Sequence, residues 1–312
     1  MPDKLMQMQR AYGSRPRMIA IAGDSAAGKT TLSKGLVAAL GEDRSVTLCV
    51  DDYHKYDRQE RKELPFTPLS PECNYIDVME QHLQLLATGQ PILKPVYDHA
   101  TGELDRPEYV EPRDFIIIEG LLPLHTKLMR ACFDVNVYLD PPEEIRYEWK
   151  IARDTSKRGY EREQVTAELD KREPESEAYI RPQREFADIV VRFAPVEGHD
   201  NDPLSATLLL RPNVKQPHLT RVLGDENGSA TSERAMHLKM ARDAGGNPVD
   251  ALHVHGHAPP EETEVAKKLL WESLGRESDV PDSLGKLSES ARSEPLALTQ
   301  LVMLYYMLAN FD

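Results

Sequence analysis

Residues 18–40 read Met-Ile-Ala-Ile-Ala-Gly23-Asp24-Ser25-Ala26-Ala27-Gly28-Lys29-Thr30-Thr31-Leu-Ser-Lys-Gly-Leu-Val-Ala-Ala-Leu40. Met18–Ala22 is a short apolar run of strand character, and Thr31–Leu40 puts Leu32, Leu36, Val37 and Leu40 on one helical face. Between them the pattern G-x-x-x-x-G-K-[ST] lies in register from Gly23 to Thr30. Glycines let the backbone wrap an anion, and amides left free at the helix N-terminus point at it. In such a loop Lys29 bridges β- and γ-phosphates and Thr30 offers a hydroxyl to Mg²⁺. A glycine-rich turn that binds nothing is the bland alternative, and the correct flanks argue against it. The expected ATP-binding residues are therefore Gly23, Asp24, Ser25, Ala26, Ala27, Gly28, Lys29, Thr30 and Thr31.

Outward from this loop, strand-like and helix-like runs alternate. Val46–Val50, Phe115–Ile118 and Asp134–Leu139 read as strands; Val78–Ala87 and Glu143–Lys157 read as helices, the latter opened by Pro141–Pro142. Such alternation predicts an α/β fold with a mainly parallel central sheet. From about Asp188 the texture changes. Ile189–Phe193, Ala206–Leu210 and Leu219–Leu223 read as strands, and Met236–Met240 and Val249–Val254 flank a Gly245-Gly246-Asn247 turn as a hairpin. Helices are expected over Pro260–Leu274 and Glu294–Asn310, with Gly275–Arg292 a linker or mobile loop. The expected organisation is a tail over 1–17, a kinase-like core over 18–195 with a lid around 150–184, and a C-terminal extension over 196–312.

Two strand ends deliver acids to the edge where such sheets bind ligands. Phe115-Ile-Ile-Ile-Glu119 presents a carboxylate suited to Mg²⁺, so Thr30 and Glu119 are the expected metal residues. Val46–Val50 delivers Asp51 and Asp52, one of which is placed to take the proton of an attacking hydroxyl; the other is an exposed turn residue. A cationic cluster follows, with Arg146, Lys150, Arg153 and Lys157 spaced i, i+4, i+7, i+11 along one stripe. A solvated charged helix would look the same, but a triphosphate site needs cations for the charge that spreads over a transferring phosphoryl group.

The 312 residues hold 38 basic and 52 acidic side chains, a net charge of −14, which argues against nucleic acid or an anionic membrane as partner. The deficit is uneven. Residues 1–145 come to −7 and 185–312 to −8, whereas 146–184 come to +1. Three scattered cysteines suit no disulfide framework or zinc site and fit a reducing compartment. No signal-like or membrane-length apolar run is visible, and a cytoplasmic protein is expected.

Five segments together resemble the phosphoribulokinase/uridine kinase family: Gly23–Thr30; Asp51-Asp52-Tyr53-His54-Lys55-Tyr56-Asp57-Arg58; Lys94-Pro-Val-Tyr97-Asp-His99-Ala-Thr-Gly102; Ile118-Glu119-Gly120-Leu121; and Trp149-Lys150-Ile-Ala-Arg153-Asp154-Thr-Ser-Lys-Arg158-Gly159. The resemblance implies a P-loop NTPase fold of the nucleoside monophosphate kinase-like type, with a C-terminal antiparallel and helical extension. It implies an ATP- and Mg²⁺-dependent phosphotransferase, Asp51 being the base, with Lys29, Arg153, Asp154 and Arg158 in the catalytic and lid machinery. It also implies that His54, Arg58, Tyr97, His99 and Lys150 hold a sugar phosphate. Two departures from the uridine kinase pattern favour the branch acting on ribulose 5-phosphate in the Calvin cycle. The His and Arg that normally follow the nucleoside-binding Pro-x-Tyr-Asp fall here at Gly102 and Leu104, and a tyrosine of the base loop is here His54. Light-regulated members carry a cysteine inside the phosphate loop. Here that position is Ala27, so no such thiol switch is expected, and Cys73 is read as a semi-exposed, inert thiol. A homo-oligomer is expected, a dimer above others.

Two alternatives stand beside this reading. One is a nucleoside or other small-alcohol kinase; the other is a nucleotide-binding regulatory module without turnover, which the intact Asp51, Lys29 and Glu119 disfavour. His253, His255 and His257 alternate along an expected strand and could face a metal together, but no carboxylate accompanies them.

Overall fold

The computed structural model describes residues 15–196, 203–212, 235–275 and 279–309, with nothing described of the side chains of 157 and 158. Alternation along the first strand sets the layering. Arg17–Gly23 (β1) sends Met18, Ala20 and Ala22 into one apolar cluster and Ile19 and Ile21 into the other, all fully buried. A strand buried on both faces belongs in the middle of a parallel sheet. β1 indeed lies between Phe115–Gly120 (β5) and Val135–Leu139 (β6), parallel to both.

The remaining strands are Ser45–Cys49 (β2), Ile92–Tyr97 (β3), Leu104–Val110 (β4), Ile189–Ala194 (β7), Ser205–Leu210 (β8), Met236–Arg242 (β9) and Pro248–Val254 (β10). Eight of the ten form one sheet in the order β2-β5-β1-β6-β7-β8-β10-β9. Pairing is parallel from β2 to β7 and antiparallel from β7 to β9. The C-terminal strands thus continue the central sheet by hydrogen bonds. β3 and β4 stand apart as a hairpin over the ligand edge.

Helices Lys29–Leu40 (α1), Pro260–Ser273 (α6) and Glu294–Ala309 (α7) cover one face, and Ile76–Ala87 (α2) and Lys127–Ala131 (α3) the other. α7 is buried from Pro295 to Leu308, because α1, α6 and the sheet close around it. Two of its polar side chains are bonded inside: Gln300 accepts from the Gly285 amide at 2.7 Å, and Thr299 donates to Pro295 O at 2.7 Å. The lid region is Glu143–Arg158 (α4) followed by Arg162–Glu175 (α5).

Several expectations change. The β3–β4 hairpin, α3 and α5 have no counterpart in the sequence reading, since Leu104–Val110 is almost wholly exposed, α3 is only five residues long and α5 is mainly polar. β7, expected with the C-terminal strands, instead completes the parallel part of the sheet. Residues 279–292 are not a free linker. Leu284 is fully buried, and Lys286 and Arg292 form a β-bridge. The strand expected at Leu219–Leu223 lies outside the described residues. β10 ends at Val254, so His255 and His257 follow the strand instead of alternating along it. The imidazole cluster is His237, His253 and His255, with centroids 5.0 and 4.8 Å apart.

Candidate active site

The parallel strands bring three C-terminal ends together. β1 runs into the phosphate loop, β5 ends at Glu119-Gly120, and β2 runs into a 3-10 turn, Val50–Tyr53, that carries Asp51 and Asp52. Register fixes the neighbours. Ile21 of β1 and Cys49 of β2 both stand opposite Glu119.

In the loop, Gly28 caps α1 at φ +96°, a left-handed conformation that glycine adopts at no steric cost, and Ala26 also takes a positive φ of 63°. The Lys29 ammonium donates to Gly23 O at 2.9 Å and Asp24 O at 2.8 Å, so it lies over the loop. The Asp24 carboxylate accepts the next amide of the loop, Ser25 N, at 2.7 Å. It takes Arg146 at 3.4 Å and the Ser176 hydroxyl, both buried. Arg146, expected along the cationic stripe, therefore braces the loop through Asp24 and does not line the cavity beside Asp51. The Thr30 hydroxyl donates to Glu119 Oε1 at 2.9 Å, joining the two expected metal residues. Burial raises the Glu119 carboxyl above its ordinary range, opposed by Lys29 and the Thr30 hydrogen bond.

The two aspartates after β2 differ in employment. Asp52 is paired with the Lys94 ammonium and accepts the Tyr97 amide at 3.1 Å, tying the turn to β3. Asp51 has no side-chain hydrogen bond or ion pair among the described residues, and it lines a cavity of about 450 Å³. That cavity is also lined by His54, Tyr97 and His99, and by Arg58, Arg61, Lys62, Lys150, Arg153, Lys171 and Arg172, against only Asp51, Asp154 and Glu168 as acids.

The structure brings His54, Arg58, Tyr97, His99 and Lys150 together at this cavity, but alters what two of them offer. Asn74 donates its amide hydrogens to Pro68 O and Ser70 O, so its Oδ1 accepts from His54 Nδ1 at 2.7 Å. That leaves His54 Nε2 as an acceptor. Burial, with Arg61 nearby, lowers the ring's pKa to about 4 against the opposing pull of Asp51. Arg58 donates to His99 O at 2.6 Å and to Ala100 O and Thr101 O at 3.4 Å, strapping the hairpin loop. Gly102, at φ +85°, lies beneath it, and a Cβ there would meet the Arg58 side chain at 2.6 Å.

Arg61 escaped the sequence reading. It sits inside a charged run, Gln59–Glu63, that looks like a solvated surface. It bonds the Tyr97 hydroxyl and lies 4.7 Å from that ring's centroid, while its Nη1 is buried without a hydrogen bond. Lys62, Lys171 and Arg172 were missed for the same reason. Lys150 and Asp154 form a buried pair at 3.0 Å, and Arg153 Nε donates to Asp154 at 2.8 Å. Burial pushes the Asp154 carboxyl up, but Arg153 and Lys150 outweigh it and hold the group below the usual carboxylate range. The Arg158 side chain lies outside the described residues. Cys73 is fully buried, not semi-exposed, and all three cysteines are free.

The model of the phosphoribulokinase/uridine kinase family matches residues 18–198. A phosphoribulokinase of Synechocystis sp. is 41% identical over 201 residues, a match spanning 64% of this chain but only 60% of that protein. A uridine kinase of Geobacillus sp. is 31% identical across 61% of this chain and 90% of its own length. Among solved structures, the phosphoribulokinase from Rhodobacter spheroides superposes with a TM-score of 0.59 at 18% identity, covering 83% of this chain and 97% of that one, a likeness of fold.

Proposed function

On the premise that the chain belongs to the phosphoribulokinase/uridine kinase family, we propose that it transfers the γ-phosphoryl group of ATP to the C1 hydroxyl of ribulose 5-phosphate, giving ribulose 1,5-bisphosphate. The observation that carries this reading is the seven-cation cavity that contains the unengaged Asp51. A sugar phosphate needs cations at one end and, at the other, a carboxylate to deprotonate its hydroxyl. Asp51 is the base, because Asp52 is held by Lys94 and Tyr97.

Lys29 leaves the loop carbonyls for the β- and γ-phosphates, while the amides of residues 23–31 cradle them. Thr30 and Glu119 are hard oxygen donors, and a buried carboxylate calls for a countercharge, so they fit Mg²⁺. Bound there with ATP, Mg²⁺ would neutralise charge developing on the phosphate oxygens. Arg61, Lys62 and Lys150 receive the sugar phosphate, with Tyr97 and His99 beside them. Arg58 holds the loop that carries His99, and His54 Nε2 accepts from a sugar hydroxyl. Arg153 and Arg158 close from the lid, with Asp154 positioning Lys150 and Arg153. A cytoplasmic homodimer belongs to the same reading. No described helix is long and apolar enough to cross a membrane.

The uridine kinase reading is disfavoured by Gly102, where the positive φ and the Arg58 side chain exclude the residue that would hold a nucleoside. Kinetics of Asp51→Asn test the assignment. The expected result is a loss in kcat of about 10²–10⁴-fold with an unchanged KM for ribulose 5-phosphate. Retained kcat, or the same loss in Asp52→Asn without loss of fold, would overturn it.

A further inference from the structure

Cys49 ends β2 opposite Glu119, Asp51 follows it in the 3-10 turn, and His99 enters from the loop after β3. Their sulfur, carboxylate oxygen and imidazole nitrogen lie within 4.8 Å of one another, the one such grouping of three potential ligands among the described residues. We propose that Cys49, Asp51 and His99 form an inhibitory site for a borderline-soft divalent cation, Zn²⁺ above all, separate from the magnesium residues Thr30 and Glu119.

The donor set carries the choice of ion. Thiolate, imidazole and carboxylate together favour Zn²⁺, whereas Mg²⁺ takes oxygen and keeps its waters. Zinc bonds of about 2.0–2.3 Å to four tetrahedral ligands put neighbouring ligand atoms about 3.3–3.8 Å apart. Closing from 4.8 Å asks for about 1 Å of movement, which the exposed His99 side chain supplies by turning about its own torsions while Arg58 holds its backbone. Burial above all, then Asp51, Glu119 and Asp52, hold the Cys49 thiol in its protonated form, so a cation must displace that proton, and the same carboxylates at the strand ends are what attract it. An ion reaches it through the cavity, since Asp51 and His99 both line that space. On binding, Cys49 gives up its thiol proton to solvent, and a water completes the fourth position. The inhibitory half of the proposal rests on Asp51 being the base, because a cation on that carboxylate prevents it from taking a proton. Binding itself does not rest on that reading.

The experiment titrates the full chain with Co²⁺ as a spectroscopic probe, then with Zn²⁺ in the kinase assay at saturating Mg²⁺. Wild type is expected to develop a thiolate-to-cobalt charge-transfer band at one equivalent, lost in Cys49→Ser and in His99→Asn. Zn²⁺ is expected to inhibit reversibly, restored by chelation and added Mg²⁺, with a midpoint at least tenfold higher in Cys49→Ser, whose basal turnover stays near wild type. Circular dichroism establishes that the variants are folded. Absence of the cobalt band in wild type overturns the site. Equal zinc sensitivity in Cys49→Ser overturns the inhibitory role and points to displacement of Mg²⁺ at Thr30 and Glu119. A cobalt band without zinc inhibition keeps the site and counts against Asp51 as the base.

Discussion

Asp51 and Asp52 are adjacent carboxylates whose partners separate their work. Neutralising Asp52 releases Lys94 and the Tyr97 amide, both buried, so Asp52→Asn is expected to lower the melting temperature before it touches chemistry. His54 differs from its expected part in the same local way. Its pKa of about 4 leaves it uncharged at neutral pH. The KM of His54→Gln for the sugar phosphate, taken as a ratio to wild type, is therefore expected to stay constant between about pH 6 and 8. A ratio that falls towards one as pH rises would mark a cationic ring bound to phosphate. The raised carboxyl of Glu119 has a kinetic signature as well. A cation favours its charged form, so the acid limb of activity is expected above the ordinary glutamate range and should move to lower pH as Mg²⁺ is increased. The acids were legible in the sequence because each follows an apolar strand. The state of His54 was not, because Asn74 reaches it from twenty residues away.

At the scale of elements, packing reverses a rule of propensity. Gly35 lies within α1, where alanine would ordinarily stabilise by about 0.5–1 kcal/mol. Here a Cβ would meet the Gln300 amide at 1.9 Å, and that side chain is fully buried and bonded to the Gly285 amide. Gly35→Ala is therefore expected to destabilise by about 1–3 kcal/mol in chemical denaturation. Adding Gln300→Ala should recover part of the loss if the clash is its cause. Strands β1, β2, β5 and β6 and the longer flanking helices were readable from periodicity, since each buries a continuous run or stripe, whereas the five-residue α3 is too short to show one. The β3–β4 hairpin and α5 were not. They cover a polar cavity and have no apolar face to announce them, and the same holds for Arg61, Lys171 and Arg172.

For the whole molecule, a net charge of −14 coexists with a site for two anions because seven cations converge on one cavity from three separate segments. The partition along the sequence marked the near-neutral stretch that holds Lys150, Arg153, Lys171 and Arg172 but did not single out the last two. Arg58 came from the family resemblance, and Arg61 and Lys62 reach the cavity only through the fold. Acid should unfold the protein early. His54 and His253 both have pKa values lowered to about 4, burial being the main cause. Unfolded, they would protonate near pH 6.5. The stability linked to them is full above that pH and is lost as pH falls towards 4, so the melting temperature should drop across that window. The claim on which the rest depends is the identity of the acceptor. The direct measurement is ATP consumption coupled to a reporter, with ribulose 5-phosphate, uridine, cytidine and pantothenate offered separately to the full chain. The account predicts turnover with ribulose 5-phosphate, formation of ribulose 1,5-bisphosphate, and little consumption with the other three. Preference for uridine or cytidine, or no acceptor-dependent turnover at all, would contradict it.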